Sequence, residues 1–172
     1  MKPIYALLVG IDTYPPAVPK LSGSKKDVHK IKSYLESNFG DRPLHIKTLL
    51  DEEASYGQLI EQFRSHLGQA GPDDVVWFHY SGHGSRQFSA PEFVQLNSGK
   101  KDETLVLHDS RPGGVDLADK ELAVLLNELS TKNPHILVTL DCCHSGSGTR
   151  GADEYIKRLS VDRGDIRTID SY

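Results

Sequence analysis

Three near-continuous apolar runs constrain this chain more than any other feature. Ile4 to Gly10 reads IYALLVG, Asp74 to Tyr80 reads DVVWFHY and His135 to Leu140 reads HILVTL. Strands covered on both faces look like this, because a strand with one wet face would alternate apolar and polar residues. His45 to Leu50 reads as a further short strand. Between these runs, apolar residues return every three or four positions: Val28, Ile31, Leu35 and Phe39, then Leu59, Ile60, Phe63 and Leu67, then Leu122, Leu125, Leu126 and Leu129. That spacing puts each set on one helix face. Asn38-Phe39-Gly40 closes the first helix, Gly68 the second, and Asp119 is placed to cap the third. Strands alternating with helices predict an α/β fold, a mostly parallel sheet with helices on both faces. In such sheets ligands bind at the carboxyl ends of the strands.

The connecting segments carry less pattern. Asp12 to Ser24 is a loop rich in Pro, Gly and Ser, and Gly71-Pro72-Asp73 is a turn. Residues 86 to 102 read as an inserted loop or hairpin, and Thr104 to Leu107 as a short extended piece. Ser147 to Tyr172 is mostly charged and polar, with at most a short helix around Tyr155 to Leu159. The expected organisation is one domain over residues 1–148 and a polar tail or linker over 149–172.

Composition removes several function classes. A net charge of −4 and a pI near 6.0 argue against a protein that coats nucleic acid or an anionic membrane. No apolar stretch approaches the roughly eighteen residues that would span a bilayer. The first apolar run is too short for a secretory core and has no small-residue cleavage site after it, so the expected compartment is cytoplasmic. The two cysteines, Cys142 and Cys143, are adjacent, and pairing them would close a strained ring. No disulfide framework is expected.

The chemically loaded residues fall at strand ends. Cys143 follows the last apolar strand and precedes a Ser-Gly turn; His83 follows DVVWFHY between Gly82 and Gly84. A thiol becomes a nucleophile when a nearby base favours the thiolate, and two neighbouring parallel strands ending in His and Cys bring such a pair into one cleft. A lone Cys and a lone His are more often a buried small hydrophobe and a loop residue. Cys142 competes as nucleophile, but adjacent side chains in extended structure face opposite ways, so only one of the two sulfurs meets His83. His144 is poorly placed to reach its neighbour's sulfur. His79 and His83 would stand about 13 Å apart if both were in a strand, and no C-x-x-C or H-E-x-x-H accompanies them, which argues against zinc. Neither Gly10-Ile11-Asp12 nor Ser145-Gly146-Ser147-Gly148 makes a phosphate loop, and Gly-x-Ser-x-Gly is absent. Asp141 lies two residues before Cys143, and Asp27 opens the first helix. Each has a plain reading, a loop anchor and a helix N-terminal carboxylate. Lining a pocket beside the nucleophile, they would select a cationic side chain.

Taken together, YALLVGIDTY, LSGSKKDV, DDVVWFHYSGHGS and LVTLDCCHSGSG resemble the metacaspases of the caspase-like cysteine peptidase clan, over most of residues 4 to 148. The resemblance implies a three-layer caspase-like sandwich with sheet order 2-1-3-4 within this chain. It implies His83 as the catalytic histidine, Cys143 as the nucleophile, and the backbone amides of Gly84 and Cys143 as the oxyanion hole. Asp27, Ser81 and Asp141 match positions lining the family's S1 pocket, which implies cleavage after Arg or Lys, opposite to the Asp specificity of true caspases. No third triad member is visible, so a His-Cys dyad is expected, with no cofactor needed for the chemistry. Asp102 and Asp119 match two positions of the acidic cluster through which many members take activating calcium, while Lys120 and Arg150 stand where the pattern has further aspartates. The family's sheet carries two more strands after the cysteine strand, and no strong apolar run follows Cys143 here. The chain therefore reads as a large, p20-like subunit that needs a small, p10-like partner, with Arg158, Arg163 and Arg167 as self-cleavage positions. The expected function is a self-processing cysteine endopeptidase in a regulated proteolytic pathway. The alternatives are a non-catalytic caspase-like interaction or scaffold module and a different cysteine hydrolase acting on amides or esters.

Overall fold

The computed structural model describes residues 1–94, 101–142 and 163–172. Cys143, His144, Arg150, Arg158 and the short helix expected around Tyr155 lie outside the described residues. In chain order the elements are β1 (Ile4–Gly10), α1 (Ser24–Phe39), β2 (Leu44–Leu50), α2 (Tyr56–Ser65), β3 (Val75–Ser81), β4 (Gly84–Phe88), β5 (Lys101–Leu105), β6 (Leu117–Ala118), α3 (Asp119–Ser130), β7 (His135–Asp141) and β8 (Arg163–Ile166).

Four strands form the central sheet in the order β2-β1-β3-β7, all parallel. This is the expected 2-1-3-4 order, with β7 as the fourth strand. Alternation along β1 explains the layers. Ile4, Ala6 and Leu8 pack with Val28 and Leu35 of α1, whereas Leu7 and Val9 join Leu59 and Phe63 of α2 and Leu122, Leu125 and Leu129 of α3. Both faces are covered, which is why β1 needs no polar alternation. The Phe63 and Phe78 rings, 4.7 Å apart, lock α2 onto β3.

A second, smaller sheet runs β6-β5-β4-β8. β4 and β5 pair antiparallel, so the weakly patterned segment after His83 is a hairpin; β4 pairs parallel with β8. Residues 163–172, which read from composition as part of a polar tail, thus return to the body of the domain. Arg167 is buried, with its guanidinium on Glu121 and on the Asp116 carbonyl. It is not an accessible cleavage position in this state, which corrects the expectation for that residue; the pairing partners that bury it are remote in sequence. The third helix also starts differently. Ala118 is its N-cap, Asp119 is its first helical residue, and the Glu121 carboxylate accepts the Ala118 N–H at 2.6 Å. Glu121 thus reaches back to the N-cap N–H, while the Asp119 carboxylate, one position inside the helix, accepts the Lys120 N–H at 2.8 Å.

β7 is the outermost strand of the central sheet among the described residues, and Leu137 and Leu140 on it are 44% and 43% exposed. No described helix is long and apolar enough to cross a membrane.

Candidate active site

The strand ends are level. In the pairing register Gly10 lies beside Ser81, and Ser81 beside Asp141. Past this row the chain turns into two described loops, Ile11 to Gly23 and Gly82-His83, while Asp141 leads to Cys142.

The first loop is pinned by buried carboxylates. Asp51, at the end of β2, accepts the N–H groups of Asp12 and Thr13 at 2.9 and 2.8 Å and pairs with the Lys25 ammonium. Burial alone would raise the Asp51 carboxyl, but Lys25 and the two amides outweigh it and hold it below its ordinary value. Asp12 in turn accepts the N–H groups of Ser24 and Lys25 at 2.8 and 3.3 Å, capping α1 from outside the helix. This cap is needed because Gly23, the N-cap residue, has no side chain to offer. Gly10 lets α1 close over the end of β1: a Cβ there would lie 2.8 Å from Val28 and 2.9 Å from the Ser24 carbonyl.

That loop delivers two groups to His83. The Pro19 carbonyl lies 2.8 Å from His83 Nε2. A carbonyl only accepts, so Nε2 carries the proton and, in the neutral ring, Nδ1 holds the lone pair. Tyr14 accepts the His83 backbone N–H at 3.0 Å, and its ring lies 5.0 Å from the imidazole. From β3, Tyr80 donates to the His83 carbonyl at 2.8 Å and to the Val106 carbonyl at 2.7 Å. Two phenols therefore clasp the two sides of the His83 residue. Burial pushes both far above the usual phenol range, so both stay neutral, and Tyr14 can accept from His83 while donating to the Val106 carbonyl at 3.2 Å. They pass so close to Gly82 that a Cβ there would stand 2.6 Å from Tyr80 Oη and 2.8 Å from Tyr14 Oη. This is the physical reason for glycine in Ser-Gly-His. His83 itself is 2% exposed, and its carbonyl accepts the Val106 N–H at 3.0 Å.

The other predicted site residues divide. Ser81 and Asp141 are brought together: Ser81 Oγ donates to Asp141 Oδ2 at 3.4 Å, and Gly82 N–H reaches the Asp141 carbonyl at 3.4 Å. By strand alternation both side chains lie on the sheet face that α1 covers, with Trp77, His79 and Thr139. Asp27 sits in the first turn of α1 beside Val28, partly exposed, with Lys30 at 3.6 Å. Gly84 opens β4 and is buried. Cys142 packs against the cluster on the opposite face, with Ile136 and Val138. Cys143 lies outside the described residues. Asp102 and Asp119 belong to the second sheet and α3, and both meet the Lys120 ammonium.

Pro19, Tyr14 and Tyr80 carry no signal in their residue types. Pro19 acts through a backbone carbonyl, and the two tyrosines resemble ordinary core aromatics until the fold brings them around Gly82.

A family model described as metacaspase, peptidase C14 domain, matches residues 5–150. Metacaspase-7 of Arabidopsis thaliana is 34% identical over 156 residues, covering 88% of this chain and 37% of that protein. Metacaspase-9 of the same plant is 32% identical over 163 residues, covering 91% of this chain and 47% of its own length. A solved structure from Geobacter sulfurreducens superimposes with a TM-score of 0.64 at 25% identity, over 86% of this chain and 52% of that one. The chain thus spans less than half of either plant relative. With the family model covering most of the chain, from β1 to just past the Asp141-Cys142-Cys143 run, this protein belongs to the metacaspases, the peptidase C14 family of caspase-like cysteine peptidases.

Proposed function

We propose that this chain carries the catalytic pair of a cysteine endopeptidase that cuts after Arg or Lys. One observation carries the reading: the Pro19 carbonyl fixes the tautomer of His83 at the end of β3, while β7, paired with β3 in register, leads through Asp141 into Cys143. Cys142 is taken up by the core, which leaves Cys143 as the nucleophile of the two.

The chemistry is acyl transfer. The Cys143 thiol gives its proton to His83 Nδ1, and the thiolate attacks the scissile carbonyl carbon. The backbone amides of Gly84 and Cys143 stabilise the developing oxyanion, and each such donor is worth roughly 10²–10³-fold in kcat. The C–N bond breaks as the imidazolium protonates the leaving amine, giving a thioester. Water then attacks, with His83 as base, and restores the thiol. Pro19 keeps the imidazole oriented and stabilises its charged form, so a backbone carbonyl assists the pair where no third side chain does.

Specificity follows from charge. Ser81 and Asp141 stand abreast, and Asp27 lies on the same side of the sheet. A guanidinium or ammonium at the P1 position gains charge-assisted hydrogen bonds there, whereas an Asp side chain is repelled. A small subunit adding its strand along β7 would cover the exposed Leu137 and Leu140, which an edge strand otherwise leaves open to aggregation. Self-processing at Arg158 or Arg163 would separate the two parts; intact mass of the wild type against Cys143→Ala reads this directly, and identical masses would dismiss it.

Fluorogenic peptides with Arg, Lys or Asp before the scissile bond test the whole proposal. Turnover is expected with Arg and Lys only, and Asp141→Ala lowers kcat/KM for the Arg peptide by about 10²-fold. Turnover confined to Asp would overturn the pocket. Silence toward all three, with a small subunit supplied, would favour a scaffold module presenting the β7 edge.

A further inference from the structure

Asp102 is fully buried on β5, and its oxygens are already occupied from within the chain. Oδ1 accepts from the Ser89 hydroxyl at 2.6 Å and from the Lys120 ammonium, and Oδ2 accepts from the Tyr172 phenol. The same ammonium lies 3.5 Å from Asp119 Oδ1 and 5.5 Å from the centre of the Phe93 ring. Burial alone would raise the Asp102 carboxyl, but Lys120, Ser89 and Tyr172 together hold it below its ordinary value, so it stays ionised.

These residues do not fit calcium. A calcium ion needs six to eight oxygens at about 2.3–2.6 Å. The two carboxylates that match the family's acidic cluster both face one ammonium, and among the described residues no group of three or more His, Cys, Asp or Glu side chains is arranged to hold a metal. A cation bound there would first have to expel Lys120 from a buried partner.

We infer that the Lys120 ammonium is a tethered cation that takes the place of a bound divalent ion and fastens residues 163–172 to the domain without calcium. The fastening runs through side chains. Tyr172 shares Asp102 with Lys120 and accepts the Ala90 N–H at 3.2 Å; its ring packs at 4.9 Å against Phe93 and at 4.4 Å beneath the Arg167 guanidinium. Arg167 is bound at 2.9 Å to Glu121, one residue after Lys120. β8 precedes Arg167 and lies along β4, the strand that begins one residue after His83. A free ion would dock this segment only in proportion to its concentration. A lysine on the same chain docks it permanently.

The inference rests on family membership rather than on the peptidase reading, and its readouts need no turnover. Calorimetric titration of the full chain with calcium chloride, against a magnesium control, is expected to show no saturable binding, and millimolar calcium should leave Tm unchanged. Lys120→Met strands Asp102 as a buried charge, so Tm should fall by about 10 °C. Backbone amides of 163–172 should then exchange with deuterium at least tenfold faster, and calcium should restore neither property; Lys120→Arg, which keeps the charge, should retain most of both. Saturable calcium binding by the wild type with a matching rise in Tm would overturn the inference, as would Lys120→Met with an unchanged exchange rate over 163–172. Should Lys120→Met fail to fold, the wild-type titration and the Lys120→Arg variant still decide.

Discussion

Adding one methyl group at Gly82 tests the clasp around His83 most directly. In Gly82→Ala the new Cβ would lie 2.6 Å from Tyr80 Oη, 2.8 Å from Tyr14 Oη and 2.9 Å from Tyr80 Cζ. Ordinary contact begins near 3.4 Å, so the phenols or the His83 segment must give by about 0.5–0.8 Å. Neither phenol can move freely. Tyr80 is fully buried and bonds the His83 and Val106 carbonyls at 2.8 and 2.7 Å, and Tyr14 holds the His83 N–H at 3.0 Å. Displacing them lengthens these bonds past useful range and leaves buried backbone groups unsatisfied. Overpacking of this size costs about 1–3 kcal/mol, and an orphaned buried donor or acceptor about as much again. The expected loss is therefore about 2–6 kcal/mol, read as a lower urea midpoint with an unchanged slope. Under the proposed mechanism a shift of this size at His83 also misplaces the base, with an expected loss of about 10²-fold in kcat/KM for an Arg peptide. The variant Gly82→Ala/Tyr14→Phe removes one of the two colliding oxygens and should be less destabilised than the two single changes added together. A Gly82→Ala protein that unfolds at the wild-type urea midpoint would refute the packing described here, whatever its activity.

Further predictions come from neighbouring groups. Tyr14→Phe strips the acceptor from the His83 N–H and should lower stability by about 1–3 kcal/mol, with an added loss in kcat rather than KM; an unchanged unfolding midpoint would dismiss Tyr14 as a positioning residue. Asp51 has a folded-state carboxyl held below its unfolded value, so its stabilisation is complete above the ordinary carboxylate range and disappears as pH falls through the lower folded value. Wild-type stability should accordingly drop more steeply below about pH 4 than that of Asp51→Asn; parallel curves of urea midpoint against pH would contradict the assignment. Cys142→Ala should cost only about 1 kcal/mol and keep most turnover, whereas Cys143→Ala should abolish it, and the reverse pattern would exchange the two sulfurs' roles.

Much of the framework was legible in the linear pattern. β1, β3 and β7 announce themselves as apolar runs because strands buried on both faces exclude polar residues, and their boundaries differ from the expected ones by a residue at most. His83 was legible because it follows such a run between two glycines. Residues 163–172 were not legible as part of the domain. A charged stretch looks alike whether it is solvated or paired, and only contact with Asp102, Asp116 and Glu121 separates the two cases. Asp119 illustrates the same limit at a helix start: its residue type suits a cap, yet the N-cap position falls on Ala118, whose N–H goes to Glu121, and Asp119 accepts the Lys120 N–H from within the first turn.

Hydrophobic periodicity alone determined the layered α/β architecture, since burying each apolar face against the next leaves few arrangements. It also placed His83 just past the carboxyl end of β3. What holds His83 was decided only in three dimensions. Pro19, Tyr14 and Tyr80 act through a main-chain carbonyl and two phenols whose roles depend on distances of about 3 Å. Local pattern carries burial and period, but it carries no record of which remote backbone atom will lie within hydrogen-bonding reach.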